Sequence, residues 1–303
     1  MKKVLGNIVE QLGDVIVGKE HQIRLALTCI LARGHLLIED LPGVGKTTLS
    51  HVLARTLGLA FNRVQFTSDL LPADILGVNI FDRKTSDFTF HKGPIFSQVV
   101  LADEINRATP KTQSALLEAM EEQQVTIEGV TYQLPAPFFV IGTQNPIHDV
   151  GTFALPDSQL DRFFMSITLG YPDRSAEREI LLGKSRKDML NHMQAVIDTE
   201  TLMTLQQAAF EVHSSDALLD YLQEIIEFSR QSANFTHGLS PRAALILLRC
   251  AKSWALLMGR DHVIPEDIQI VLPHVTNHRL KPAEDSLSNE KQMSDHFKVI
   301  PIP

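Results

Sequence analysis

The chain has 303 residues, 44% of them hydrophobic, with 28 Lys and Arg against 36 Asp and Glu for a formal charge of −8. That length is enough for two domains with a substantial core, and the composition excludes disorder as the main state. Divided at residue 175, the charge is −4 on each side (15 basic against 19 acidic, then 13 against 17), so neither half is a basic nucleic-acid module.

Read in chain order, Val15 and Ile16 lead through Val17 and Gly18, an apolar turn, to a helix from Glu20. Candidate strands follow at His35 to Ile38, Phe61 to Phe66, Gln98 to Ala102, Phe138 to Gly142 and Phe163 to Thr168, alternating with helix-like stretches. This is the pattern of an α/β fold, a mainly parallel sheet with helices on both faces. Two segments break the rhythm and read as inserted β-hairpins, Val78 to Phe90 and Gln123 to Leu134. In the second, two β-prone triplets flank Glu128 and Gly129. From Asp173, a good N-cap after Gly170, Tyr171 and Pro172, apolar residues recur at helical spacing, as at Leu218, Leu222, Ile225 and Ile226. The expected division is an α/β nucleotide domain over 1–172, a small all-helical domain over 173–280, and a loose polar tail over 281–303.

Cys29 and Cys250 lie far apart in apolar stretches, which argues against a zinc site or disulfide framework. His274 and His278, four apart on a helix, lack a third ligand and read as solvated helix histidines. The longest nearly apolar run, Leu25 to Ala32, is eight residues, against the roughly 20 of a membrane helix. The sequence reads as soluble and cytoplasmic, with no membrane insertion.

The strand Leu36, Leu37, Ile38 runs into Glu39, Asp40, Leu41, Pro42, Gly43, Val44, Gly45, Lys46, Thr47, Thr48 and then an amphipathic helix. Strand, glycine loop and helix in this order make a phosphate cradle. The glycines let backbone N–H groups turn inward on a polyphosphate, Lys46 meets the β/γ oxygens, and Thr47 can ligate magnesium. Asp40 stands where the motif usually has its first Gly. A second apolar strand, Val99 to Ala102, ends in Asp103 and Glu104. That position suits Asp103 for holding the metal, and Glu104 for polarising an attacking water.

The stretch Asp103, Glu104, Ile105, Asn106, Arg107, Ala108, then Lys111 to Glu122, resembles the MoxR family of AAA+ ATPases, in the helix-2-insert branch. Gln144, Asn145, Pro146, then Gln159, Leu160, Asp161, Arg162, Phe163, then Gly238, Leu239, Ser240, Pro241, Arg242, and Pro265 to Ile268 fit it in the same order. The resemblance implies ATP and Mg2+ as ligands and a ring, most often a hexamer. It assigns Asn145 as the sensor that orients water at the γ-phosphate. Arg162 becomes the arginine finger serving a neighbouring subunit, with Arg107 its nearest competitor. Arg242 becomes the lid arginine that reads nucleotide, in cis or from a neighbour, and Val17 and Gly18 the backbone that meets adenine. Both hairpins fall where this branch carries its insertions.

The family is thought to act on client proteins as a chaperone, including in metal-cofactor insertion, often with a separate polypeptide bearing a von Willebrand factor A domain. Against a DNA-active, helicase-like motor stand the hairpin charges: Arg83, Lys84 and Lys92 accompany Asp82 and Asp87, and the second hairpin has only Glu128. A chelatase-like motor of the same branch and a slowly hydrolysing nucleotide-gated scaffold are the other readings, the latter disfavoured by Glu104 and Asn145.

Overall fold

The computed structural model describes residues 1–84, 86–145, 151–183, 186–283 and 294–302. Its strands are β1 (His35–Glu39), β2 (Phe61–Gln65), the pair β3 (Gly77–Asp82) and β4 (Asp87–Lys92), β5 (Val99–Asp103), a second pair β6 (Gln124–Ile127) and β7 (Val130–Gln133), β8 (Phe139–Gln144) and β9 (Phe163–Ile167). The five strands outside the two pairs form one sheet in the order β2-β5-β8-β1-β9, with every pairing parallel. The central strands β5 and β8 are buried along their whole length. That explains their continuous apolar runs: a parallel strand covered on both faces has no solvent side to mark.

The helices are α1 (Lys2–Val15), α2 (Glu20–Leu31), α3 (Lys46–Thr56), α4 (Pro72–Leu76), α5 (Pro110–Glu122), α6 (Asp157–Leu160), α7 (Arg174–Leu182), α8 (Arg186–His192), α9 (Thr199–Glu211), α10 (Asp216–Gln231), α11 (Pro241–Leu257) and α12 (Pro265–Thr276). Side chains alternate across the sheet. Leu36, Ile38, Leu101 and Ile141 point into a core shared with α1, α2 and α3, while Leu37, Val100, Ala102 and Val140 meet Leu116, Leu117 and Met120 of α5. The later helices do not enclose a core of their own. Leu202, Leu205, Ala243, Leu247, Trp254 and Ile268 belong to the same apolar cluster as α1 and α2.

Asp173 caps α7 by accepting from Ala176 N at 2.8 Å, and Ser240 caps α11 by accepting from Ala243 N at 3.0 Å. Both hairpins form as antiparallel pairs, the first reaching one residue earlier and two later than its sequence bounds; its tip residue Thr85 lies outside the described residues. The hairpins lean on each other, with Phe90 stacked on Tyr132 at 4.2 Å between ring centroids and Asn79 donating to Glu128 at 2.7 Å.

Two expectations are corrected. His274 and His278 are not solvated: His274 bonds the Ser166 carbonyl at 3.1 Å and His278 the Phe163 carbonyl at 3.0 Å. They tether α12 and the turn that follows it to β9, and burial pushes both below the ordinary imidazole range. The C-terminal stretch is not loose where it is described, although 284–293 and Pro303 lie outside the described residues. Phe297 is buried against Phe228 and Phe235, and Ile300 joins the same core. Two apolar anchors in a polar stretch give no periodicity to detect.

Candidate active site

Every strand of the main sheet points the same way, so the carboxyl ends of β1, β5 and β8 form one edge, where ligands bind in open α/β folds. The loop after β1 and the residues at the ends of β5 and β8 meet there. Lys46 is buried on the first turn of α3, and its Nζ donates to the Asp40 carbonyl at 2.6 Å and to Asn145 Oδ1 at 3.1 Å. Burial pulls the ammonium below its ordinary pKa, opposed by the charges of Asp40, Asp103 and Glu104. Gly43 and Gly45 take φ of +85° and +101°, and a Cβ built on either would meet nothing within 4 Å. The inner wall of the loop is therefore open and lined by backbone, from Pro42 through Val44 to Thr47 and Thr48, which fits a polyphosphate.

Asn145 is buried between two groups of opposite charge: its Oδ1 accepts from Lys46, and its Nδ2 donates to Glu104 Oε1 at 3.2 Å. Pro146 of the same motif lies outside the described residues. Glu104 sits at φ +56°, a left-handed conformation that costs a non-glycine residue about 1–2 kcal/mol. Its amide donates to Thr143 Oγ1 at 2.9 Å, and its Oε2 accepts from Gln65 at 3.0 Å and Arg107 at 2.9 Å. Asp103 accepts from Thr143 at 2.6 Å and from Arg63 Nη2 at 2.7 Å. Asp103 and Thr47 offer only oxygen, the donor type magnesium prefers when phosphates and waters complete its shell.

Asp40, which breaks the motif, has a structural task. Its Oδ1 accepts from Leu41 N at 2.8 Å, and its Oδ2 from Leu169 N and Gly170 N at 2.6 Å each. The start of the loop is thereby pinned to the segment after β9. The turn at Val17 and Gly18 rests on the same segment: Lys19 donates to the Tyr171 carbonyl at 2.7 Å, and a Cβ on Gly18 would come within 2.8 Å of Ala176 Cβ.

Arg162 and Arg242 lie at the opposite edge of the sheet. Arg162 directly precedes Phe163, which pairs with His35, the first residue of β1. His35 accepts from Val140 N at 3.0 Å and donates to the Met120 carbonyl at 3.2 Å, and the next residue, Glu121, meets both arginines. Arg242 hydrogen-bonds Glu121 Oε1 and holds that carboxyl below its usual range. Arg162 Nε lies 2.9 Å from Glu121 Oε2 as an ion pair, and among the described residues this buried N–H makes no hydrogen bond of good geometry. A cleft of about 250 Å³ lined by Arg33, Arg162, Arg242 and Arg249 opens beside them, and no phosphate-loop residue lines it. Five residues of β1 separate the edges, about 16 Å at 3.3 Å per residue. Of the two arginines weighed for a finger, Arg107 is engaged by its own Glu104, whereas Arg162 faces away.

Sequence reasoning thus located the phosphate loop, the two acids and Asn145, which the structure brings together, and two arginines that it keeps apart from them. It missed Gln65, Arg63 and Thr143, whose only sequence signal is their place near the carboxyl ends of β2 and β8. Among the described residues no group of three or more His, Cys, Asp or Glu could hold a metal, and no helix is long and apolar enough to cross a membrane.

Comparison with known proteins accords with this geometry. Residues 35–165 match the model of the ATPase family associated with various cellular activities (AAA), and residues 227–296 match the AAA lid domain. The uncharacterized protein YeaC of Bacillus subtilis is 46% identical over 91% of this chain and 87% of its own length. Chaperone MoxR1 of Mycobacterium tuberculosis is 40% identical over 91% of this chain and 75% of its own. A crystal structure of a candidate ATPase from Cytophaga hutchinsonii superposes with a TM-score of 0.89 at 35% identity, covering 99% of this chain and 94% of that one.

Proposed function

Since the chain belongs to the MoxR family of AAA+ ATPases and is an ATP-hydrolysing enzyme, we propose that it works as a ring, a hexamer in the reading the family favours, in which each nucleotide is completed by the neighbouring copy. The observation that carries this is the separation of the site across the sheet: Lys46, Asp103, Glu104 and Asn145 at one edge, Arg162 and Arg242 at the other. A subunit cannot bring its own Arg162 to its own γ-phosphate without unfolding its sheet, nor its own Arg242 without pulling α11 out of the shared core. A second copy can.

In this reading the backbone of Gly43 to Lys46 cradles the phosphates of ATP, with Val17 and Gly18 against adenine. Thr47 and Asp103 would hold magnesium, which would supply charge neutralisation at the phosphates. Asn145 gives up its contact with Lys46 as the γ-phosphate arrives and keeps its donor on Glu104. Glu104, already held by Arg107 and Gln65, accepts the proton of the attacking water. Arg162 and Arg242 of the adjacent copy exchange Glu121 for the oxygens of the transferring phosphoryl group, where such fingers are worth about 10³ to 10⁵ in rate. The open cleft that Arg162 shares with Arg242 supports this role. The work done is on a client protein, as the name of the chaperone MoxR1 suggests, in the cytoplasm and alongside a separate von Willebrand factor A domain protein. Metal-cofactor insertion is one such task. The exposed apolar residues of the first hairpin, Ile80, Phe81 and Phe88, suit protein better than phosphate backbone.

Mixing tests the ring. Arg162→Ala should keep only a trace of turnover and Lys46→Ala none, and subunit exchange should restore activity through interfaces that pair an intact Lys46 with an intact Arg162. Demonstrated exchange with no recovery at any ratio would remove the trans assignment.

A further inference from the structure

Just past α12, Arg279 turns back beneath the sheet edge that carries Arg162, and its side chain is only 6% exposed. Its donors spread over the backbone on both sides of that residue. Nε donates to Asp161 Oδ1 at 2.7 Å and Nη2 to the Asp161 carbonyl at 3.0 Å; Nη2 also reaches the Phe163 carbonyl at 2.6 Å, and Nη1 the Phe164 carbonyl at 3.2 Å. Nη1 further donates to the Val275 carbonyl in the last turn of α12. Only a planar guanidinium carries five donors in a fixed fork; an ammonium is a point charge that cannot span residues 161, 163 and 164 together. Asp161 makes a second, longer contact, accepting from Ser240 Oγ at 3.5 Å. Ser240 caps the helix whose second residue is Arg242. One half-buried ion pair thus underlies both arginines.

We infer that Arg279, which no motif singles out, is the positioning residue of the arginine pair: it fixes the backbone that aims Arg162 and, through Asp161 and Ser240, holds Arg242 in register with it. This rests on the trans reading for what the arginines do, but not for what Arg279 does to them. The interior already offers the α12 helix and β9 a tether in His274 and His278, so a fork aimed at the two flanks of Arg162 serves orientation beyond attachment.

The test is Arg279→Lys, which keeps the charge and removes the fork. Affinity for a fluorescent ATP analogue should stay within about twofold, while kcat falls about 10- to 100-fold, as expected when a reacting group is misplaced by about 1 Å. The double variant Arg162→Ala with Arg279→Lys should be no slower than Arg162→Ala alone, because a misaimed side chain that is absent cannot be lost twice. In mixtures, Arg279→Lys should regain activity with Lys46→Ala and gain none with Arg162→Ala. Should Arg279→Lys fail to fold, Arg279→Met combined with Asp161→Asn removes the buried charge without stranding its partner and should give the same pattern. Wild-type kcat in a folded variant, additive loss in the double variant, or recovery with Arg162→Ala would each overturn the inference. Failure of Arg162→Ala to complement Lys46→Ala would instead remove the trans reading. Arg279 would then stand or fall on the double variant alone.

Discussion

The structure gives Asp40 a role opposite to the one its motif position suggests. Replacing it by the glycine that phosphate loops usually carry there looks like a repair, yet its carboxylate accepts from three backbone N–H groups, at 2.8 Å and twice at 2.6 Å. Hydrogen bonds to a charged acceptor are worth about 1.5–3 kcal/mol each. Water can reach the exposed Leu41 amide but not the buried Leu169 amide, so roughly half of the sum should be lost, about 3–4 kcal/mol. Asp40 does not have a positive φ among the described residues, so glycine brings no relief of strain there and adds about 0.5–1 kcal/mol of backbone entropy cost. At about 2–3 °C per kcal/mol for a chain of this size, Asp40→Gly should unfold roughly 7–15 °C below the wild type. Nucleotide affinity should fall as well, because the Asp40 carbonyl receives Lys46 Nζ. Thermal unfolding with and without ATP measures both. A variant that melts at or above the wild-type temperature would refute the assignment of Asp40 as an anchor.

Three further outcomes are expected. Lys46→Ala should abolish nucleotide binding, whereas Glu104→Gln should bind ATP and lose turnover; equal loss of affinity in both would collapse the division of roles. At physiological salt neither single- nor double-stranded DNA should raise the ATPase rate, since counterion release needs several cations on one face; severalfold stimulation would favour the helicase-like reading. Acid should destabilise the fold through His35 and His274, whose burial draws each down to about 4. The unfolded chain binds these protons near pH 6.5 and the folded chain does not until about pH 4. Stability is therefore full above pH 6.5 and falls below it, by about 1.4 kcal/mol per pH unit for each group, a slope that denaturant unfolding at pH 7.5, 6 and 5 would reveal and a flat profile would contradict.

What was legible in the sequence was whatever leaves a local signature. The parallel strands announce themselves as apolar runs, and Ser240 and Asp173 as caps, while Gly43 to Thr48 declare a phosphate cradle by backbone requirement alone. Long-range pairing leaves no such trace. Arg63 and Gln65 read as ordinary residues of a strand until β2 is set beside β5, which brings Arg63 to Asp103 and Gln65 to Glu104. His274 of α12 and His278 just after it look solvated at spacing i, i+4 because the carbonyls that they bond belong to β9, more than 100 residues earlier. The contact of Arg242 with Glu121 was hidden for the same reason, since the two are 121 residues apart.

The shared core bears on how hydrolysis can be coupled to motion. In a subunit whose lid swings freely, the lid helices pack among themselves, and nucleotide closes the hinge. Here α11 buries Ala243, Ile246, Leu247, Ala251 and Trp254 in the cluster that also holds Leu25, Ile30 and Leu57 of the nucleotide-binding part. Swinging α11 away would return that surface to water at about 25 cal/mol per Å², and α12 would have to give up its bonds to Ser166 and Phe163 as well. Arg242 on α11 and Arg162 just before β9 thus move together with the sheet, held in register by Arg279 and Asp161. If ATP binds at one edge of that rigid body and is sensed by arginines at the edge of the next, its hydrolysis changes the angle between copies. Among the parts outside the core that could report that angle are the exposed Ile80, Phe81 and Phe88 of the first hairpin, where the proposed client would meet such a ring.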